Sequence, residues 1–302
     1  MTILASMSDH PGVAPGGAIP AGAAPQLAEG GRPLPAPEVL LAEDPGGPTK
    51  RDPLVEALRI IGLADAAGLQ VRLMGGLAFH ARCPEWTARI DRERRDIDLA
   101  TRSKDGKALR ELLSAEGYTG DKQSNALYGH KQMYFVDTRR GRPVDVLIDR
   151  MEMSHRFEFA GRLAVDRPTV PLAEMLLSKL QIARINRKDI LDALALLSEY
   201  PLGKGDAGTI RVDRILQYTS ADWGWWRTLT GNLDKMRMLV NTEIGPGELD
   251  FSRPPKFDVL EQVAALHKAV DDAPKSMKWR MRAQVGERVQ WFEEPEEVGH
   301  GR

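Results

Sequence analysis

Two short runs in which carboxylates alternate with apolar residues constrain this chain more than anything else in it. The first is Asp96-Ile97-Asp98-Leu99, and the second is Val144-Asp145-Val146-Leu147-Ile148-Asp149. Strand side chains alternate faces with period two, so Asp96 and Asp98 share one face and Ile97 and Leu99 the other. In the second run Val144, Val146 and Ile148 share a face, opposite Asp145, Leu147 and Asp149. Such strands call for a sheet with one face on an apolar core and carboxylates on the other. Asp145, mid-strand among valines, is the expected third partner of Asp96 and Asp98. Asp149, at the strand end, faces solvent or caps a turn.

The residues before the first run add a second requirement. Val71 to Met74 reads as a short strand, Gly75-Gly76 as a turn, and Leu77 to Ala81 as the opening of a helix. A glycine pair beside a helix N-terminus offers bare backbone with N–H groups aimed outward, which suits a phosphate. Two carboxylates on one strand face repel each other, and a divalent cation between them relieves this. Hard oxygen ligands of this kind suit Mg²⁺. Either motif alone is ordinary, since glycine pairs mark turns and Asp-x-Asp on an edge strand is commonly a solvated face. It is their order that points to a nucleotide and metal site. Gln132 to Asp137 is also strand-like, and Thr138 to Gly141 is a turn, so the third carboxylate sits on a hairpin.

The combination resembles the nucleotidyltransferase superfamily, whose fold is like the palm of DNA polymerase beta. The closer likeness is to the AbiEii-like branch, which includes toxin-type nucleotidyltransferases. The matching motifs are Gly75-Gly76, Arg95-Asp96-Ile97-Asp98-Leu99, Leu176-Leu177-Ser178-Lys179-Leu180 and Arg187-Lys188-Asp189-Ile190-Leu191-Asp192. The likeness spans about Val71 to Leu197. The chain departs from it in having Leu77 where a hydroxyl residue commonly follows the glycines, and in a longer insert from Leu77 to Arg95, expected as an extra loop over the site. The resemblance implies an α/β (α+β) fold, a small mixed sheet flanked by helices. It implies Asp96, Asp98 and Asp145 as ligands for two Mg²⁺ ions, and Gly75 and Gly76 as the phosphate cradle. Arg95 and Lys179 would add positive charge, and Asp189 would stand near the nucleotide. On residue pattern alone, Lys179 snorkels from an apolar stripe and Asp189 complements a helix dipole.

Composition leaves these readings open. The 302 residues are 42% hydrophobic and 28% charged with a net charge of −1, which announces neither nucleic acid nor an acidic partner. Arginines cluster locally at Arg82, Arg89, Arg92, Arg94 and Arg95, and at Arg139, Arg140 and Arg142. Such runs are ordinarily solvated faces, yet they flank the acidic strands, where they would suit a polyanion. Cys83 is the sole cysteine, so no intrachain disulfide forms and a zinc cluster is not expected. With no signal-like N-terminus and no membrane-length apolar run, a cytoplasmic protein is expected.

Three regions follow from patterning. Residues 1–50 are rich in Pro, Gly and Ala and are expected to be a disordered tail, with a short helical patch at Glu38 to Glu43. Residues 51–200 form the nucleotidyltransferase-like domain, opened by a helix capped at Asp52-Pro53. Within it, helices are expected at Gly106 to Glu116, Pro171 to Ile185 and Lys188 to Glu199. Strands are expected at Arg156 to Phe159 and Arg162 to Val165, with His155 as a structural residue. Residues 201–302 read as a helical C-terminal region. There Trp223, Trp225 and Trp226 are core anchors, and Met277, Lys278, Arg280 and Arg282 make a basic patch, either solvated or tracking an RNA backbone.

The expected activity is transfer of a nucleoside monophosphate from an NTP to an acceptor hydroxyl on RNA such as tRNA, on protein or on a small molecule. The toxin-type likeness brings a possible antitoxin partner with it, and no membrane partner. Two other readings are a non-catalytic nucleotide- or partner-binding protein of this fold and a metal-dependent phosphohydrolase.

Overall fold

Asp52 accepts hydrogen bonds from the backbone N–H groups of Leu54 (2.8 Å) and Val55 (3.0 Å), and this cap starts helix α1, Pro53–Ala66. The computed structural model describes residues 47–87, 94–242 and 256–294. The tail before Gly47, including the helical patch expected at Glu38 to Glu43, lies outside the described residues, as do most of the Asn241 to Lys256 loop and the last eight positions.

The chain then alternates. Strand β1 is Val71–Leu73, helix α2 is Gly75–Arg82, and the single turn α3 is Pro84–Thr87. Strand β2, Ile97–Thr101, is followed by helix α4, Ser103–Ala115, and strand β3, Tyr118–Gly120. A short helix α5, Lys122–Tyr128, leads into the hairpin of β4, Gln132–Asp137, and β5, Arg142–Ile148. These five strands form one mixed sheet in the order β1-β2-β5-β4-β3. The β2 and β5 strands are parallel, and every other neighbouring pair is antiparallel.

The alternation read from sequence is the alternation observed. Ile97, Leu99, Val144, Val146, Met133 and Phe135 all point to one face and are buried. Each such side chain contributes about 1.5–3 kcal/mol relative to exposure. Helix α4 lies over this face at the Ile148 end, where Gly106 approaches the Ile148 side chain. Asp149 caps that helix: its Oδ1 accepts the Ser103 N–H at 2.9 Å.

After the sheet come the hairpin β6, Arg150–Glu152, and β7, Arg156–Glu158, then helix α6, Leu172–Leu180, and helix α7, Arg187–Glu199. The strand expected over Arg162 to Val165 does not form. Residues 160–162 make one turn of 3₁₀ helix instead. The Asp149 carbonyl accepts both the Phe159 and Ala160 N–H groups, and the Arg162 guanidinium is drawn to Glu174 and Asp206. Helix α6 also ends sooner than Ile185.

Beyond residue 200 a two-residue parallel pair, β8 (Leu202–Gly203) with β9 (Ile210–Arg211), precedes four helices among the described residues. These are α8, Val212–Thr219; α9, Trp223–Thr242; α10, Val259–Asp272; and α11, Met277–Val285. They close the open ends of earlier helices, whose last carbonyls need donors. The Asn232 amide donates to the Leu180 and Ile182 carbonyls at 3.0 and 2.9 Å, and the Gln262 amide to those of Leu197 and Tyr200 at 2.9 and 2.7 Å. One hydrophobic core runs from Leu54 to Val270, across the change of character at residue 200. Among the described residues no helix is long and apolar enough to cross a membrane.

The start of the packed chain lies earlier than expected. Thr49 and Lys50 are buried. Thr49 Oγ1 donates to Asp137 at 2.6 Å, and Arg142 donates to the Lys50 carbonyl at 2.7 Å. A polar Thr-Lys pair carries no periodic signal; it is held by groups some 90 residues away.

Candidate active site

The register of β2 against β5 builds the site. Asp98 and Asp145 are direct Cα partners in this parallel pair, so their carboxylates leave the same face of adjacent strands. One strand further out, Tyr134 is the direct partner of Asp145. Asp98, Asp145 and Tyr134 therefore form a row across three strands, on the face opposite the core, and all three are half-buried. The Gln132 side-chain amide donates to Asp145 Oδ1 at 2.6 Å and fixes one edge of that carboxylate. Burial raises the Tyr134 hydroxyl pKa, and the charges of Asp145, Asp96 and Asp121 raise it further, so the phenol stays protonated at neutral pH.

Helix α2 begins against this row. Gly75 is its first residue, with φ +60°, and a Cβ built there would overlap the Asp98 carboxylate, 2.6 Å from Cγ and 2.9 Å from Cβ. Only glycine satisfies both the backbone conformation and the space. The expected Gly-Gly turn is thus the first turn of the helix itself. Met74, at the N-cap, supplies no side-chain acceptor, and the first turn carries no acidic residue. The positive end of the helix dipole meets the acidic row here.

Not all the expected residues come together. Asp96 precedes β2, is exposed and lies outside the hydrogen-bonded ladder that fixes Asp98. Among the described residues no three acidic, histidine or cysteine side chains converge on one point, so the expected three-carboxylate cluster is drawn as an Asp98–Asp145 pair with Asp96 at its margin. Arg95 is exposed beside it. Lys179 is buried in another arrangement: its Nζ lies 2.7 Å from Asp189 Oδ1, 3.0 Å from Asp192 Oδ2, and 5.2 Å from the centre of the Phe79 ring. It neither snorkels nor stands bare for a phosphate. Asn186, rather than Asp189, caps α7, accepting the Asp189 N–H at 3.0 Å. Phe79 is one helical turn beyond Gly75, so the Lys179 cluster backs the helix whose tip touches Asp98.

The insert after Leu77 is not a loop over the site as far as it is described. Phe79, Arg82, Cys83 and Trp86 are buried. Arg82 pairs with Asp166 at 2.7 Å and donates to Thr169 Oγ1 at 2.8 Å. Arg140 and Arg142 hold the backbone of residues 49–51. These arginines serve the fold rather than a polyanion. His155 is also structural: burial pushes it down to about 4, and its Nε2 lies 2.8 Å from Thr228 Oγ1. Gln132 and Tyr134 have no role in the sequence reading, and Asp192 stands there only as the last residue of the motif from Arg187 to Asp192. Gln132 and Tyr134 lie on the Asp145 side of a hairpin whose turn fixes the register, and Asp192 lies one helical turn after Asp189, so spacing alone reaches all three.

Residues 56–157 match the family model described as aminoglycoside-2''-adenylyltransferase. This stretch holds Gly75, Gly76, Asp96, Asp98 and Asp145 but not Lys179 or Asp189. No curated protein matches the chain. Among solved structures, an antigenic nucleotidyltransferase-like protein from Paracoccidioides brasiliensis is similar at 15% identity, over 76% of this chain and 96% of that one, with a TM-score of 0.36. That likeness is too remote to carry an argument. The family-model match supports the nucleotidyltransferase superfamily and, coarsely, nucleotidyl transfer; nothing in the comparisons supports the AbiEii-like branch.

Proposed function

We propose that this chain is a metal-dependent nucleotidyltransferase that moves a nucleoside monophosphate, adenylate first among candidates, from an NTP to an acceptor hydroxyl. The observation that carries the reading is the in-register Asp98–Asp145 pair, set against a helix tip that only Gly75 can form. The match over residues 56–157, whose description names an adenylyltransferase, supports it.

The donor set fits Mg²⁺. Two adjacent carboxylates on one face are hard oxygen donors, and Mg²⁺ is commonly held by one or two carboxylates together with substrate phosphates and water. Asp98 and Asp145 would hold it, with Asp96 completing the set from the margin. Bound there, the cation would neutralise charge on the triphosphate and acidify the attacking hydroxyl. The chain's own residues do the rest. Gly75 and Gly76 admit the phosphates to the N-terminus of α2, where backbone N–H groups and the helix dipole favour anions. Gln132 keeps the Asp145 carboxylate oriented. Tyr134 borders the carboxylate row, and Asp121, whose charge reaches it, would favour an acceptor bearing amino groups. Arg95, exposed at the entrance, adds charge to the triphosphate. Lys179, with Asp189 and Asp192, braces helix α2 from behind.

The test is label transfer. The protein is incubated with each α-³²P-labelled NTP and Mg²⁺, with an aminoglycoside, total RNA or no added acceptor. Label on the aminoglycoside supports a small-molecule acceptor, label on RNA or on the protein itself supports the toxin-type alternative, and each supports nucleotidyl transfer. Intact NTP in every reaction refutes it, and free phosphate without an adduct shows a phosphohydrolase.

A further inference from the structure

The C-terminal helices enclose a cleft of about 550 Å³ that the proposed transfer does not use. Its floor is the turn of the β6–β7 hairpin, Ser154 to Arg156, and its sides are α9, α11 and residues 290–293. That volume is within the range of small-molecule sites. The walls are aromatic. Trp223 and Trp291 meet edge to face at 6.0 Å between ring centres, Trp291 and Phe292 at 5.4 Å, and Tyr218 tilts against Trp225 at 5.3 Å.

Its charge is arranged, not scattered. Lys278 and Arg282 are four residues apart on α11 and both line the cleft. Arg282 is held in place, 4.8 Å over the Trp223 ring, and donates to the Gly286 and Val289 carbonyls at 2.6 Å each. Those carbonyls carry no net charge, and neither Lys278 nor Arg282 has a carboxylate partner among the described residues. Arg156, the third cation, is instead engaged by Glu152 and Glu158. His155 in the floor is neutral at physiological pH. Of the two acidic side chains, Asp222 is occupied capping α9 through the Trp225 N–H at 3.0 Å. Glu293 remains as an acceptor for hydroxyl groups.

We infer that this cleft binds a nucleotide unit, free or within single-stranded RNA, with its phosphate on Lys278 and Arg282 and its base against the Trp291 and Phe292 rings. Ring walls and two adjacent cations that pair with no described carboxylate meet the two needs of such a ligand, stacking and charge neutralisation. Glu293 suits the ribose hydroxyls. The inference does not rest on the proposed catalysis.

Tryptophan emission reads the site directly. The full-length protein is titrated in EDTA with AMP, adenosine, inorganic phosphate and a short oligoadenylate, as wild type and as Lys278→Glu, with Asp98→Ala as a control for the other site. The expected result is quenching by AMP or the oligonucleotide at lower concentration than by adenosine or phosphate, retained in Asp98→Ala. The Lys278→Glu dissociation constant should rise about tenfold or more, as for loss of one charged contact. Lys278 is exposed, so the variant should keep the wild-type melting temperature. Tighter binding of the oligonucleotide identifies RNA as the source, and tighter binding of AMP the free nucleotide. No quenching by either, or quenching that Lys278→Glu leaves unchanged, overturns the inference.

Discussion

Gly75→Ala isolates the contact on which the site is built. Alanine at φ +60° costs about 1–2 kcal/mol in backbone strain. Its Cβ also falls on the Asp98 carboxylate, which must leave its rotamer at about 0.5–1.5 kcal/mol more. The loss is then about 1.5–3.5 kcal/mol, or on the order of 3–14 °C in melting temperature for a chain of this size. The displaced carboxylate matters more for activity: a shift of about 1 Å in a positioned group costs on the order of a hundredfold in turnover. Thermal melting and label transfer are measured together, with Gly62→Ala as the control. Gly62 lies within α1 with nothing within 4 Å of its Cβ position. That variant should gain about 0.5–1 kcal/mol and keep full activity. Wild-type melting and full transfer in Gly75→Ala would refute the argument that Asp98 and this helix tip occupy one another's space.

Other perturbations test the surrounding framework. Lys179→Met leaves Asp189 without its cation and Asp192 with the more distant Arg94, 3.8 Å away, and should cost about 3–5 kcal/mol in urea unfolding; a neutral Lys179→Met would show the cluster to be solvated. His155 titrates near 4 when folded and near 6.5 when unfolded, so the unfolded chain binds the extra proton between those values. Stability therefore falls as pH drops from about 6.5 to 4, by about 3 kcal/mol from this group, and His155→Gln should remove that part of the slope; an unchanged slope assigns it to carboxylates. A chain starting at Arg51 should be about 2–3 kcal/mol less stable than one starting at Gly47, because Asp137, Arg140 and Arg142 lose partners on Thr49 and Lys50; equal stability would mean those bonds are exchanged for water without cost.

The sheet was legible because its evidence is local and repeated. Alternation along Ile97 to Leu99 and Val144 to Ile148 fixed the core face, and the turn at residues 138–141 fixed the hairpin. Period two tells which face a side chain leaves from but not how far it stands from a neighbour. Asp98 and Asp145 are held by the ladder, whereas Asp96 lies just outside it and was grouped with them on pattern alone. Charges were misread for a related reason. Arg82, Arg140, Arg142 and Lys179 look like surface residues until their carboxylate and carbonyl partners, most of them distant in sequence, are in place. Helix α5 and strand β3 were missed because Tyr118 to Tyr128 is short and mostly exposed, so burial imposes little pattern on it.

The most direct test of the central claim is label transfer from α-³²P-ATP by wild type, Asp98→Asn and Asp145→Asn, with melting temperatures taken on the same samples. If the paired carboxylates carry the reaction, each variant loses at least about a hundredfold in rate while melting no lower than wild type, since a repulsion has been relieved. A variant that folds normally and transfers label at the wild-type rate would contradict the assignment of that carboxylate to the reaction.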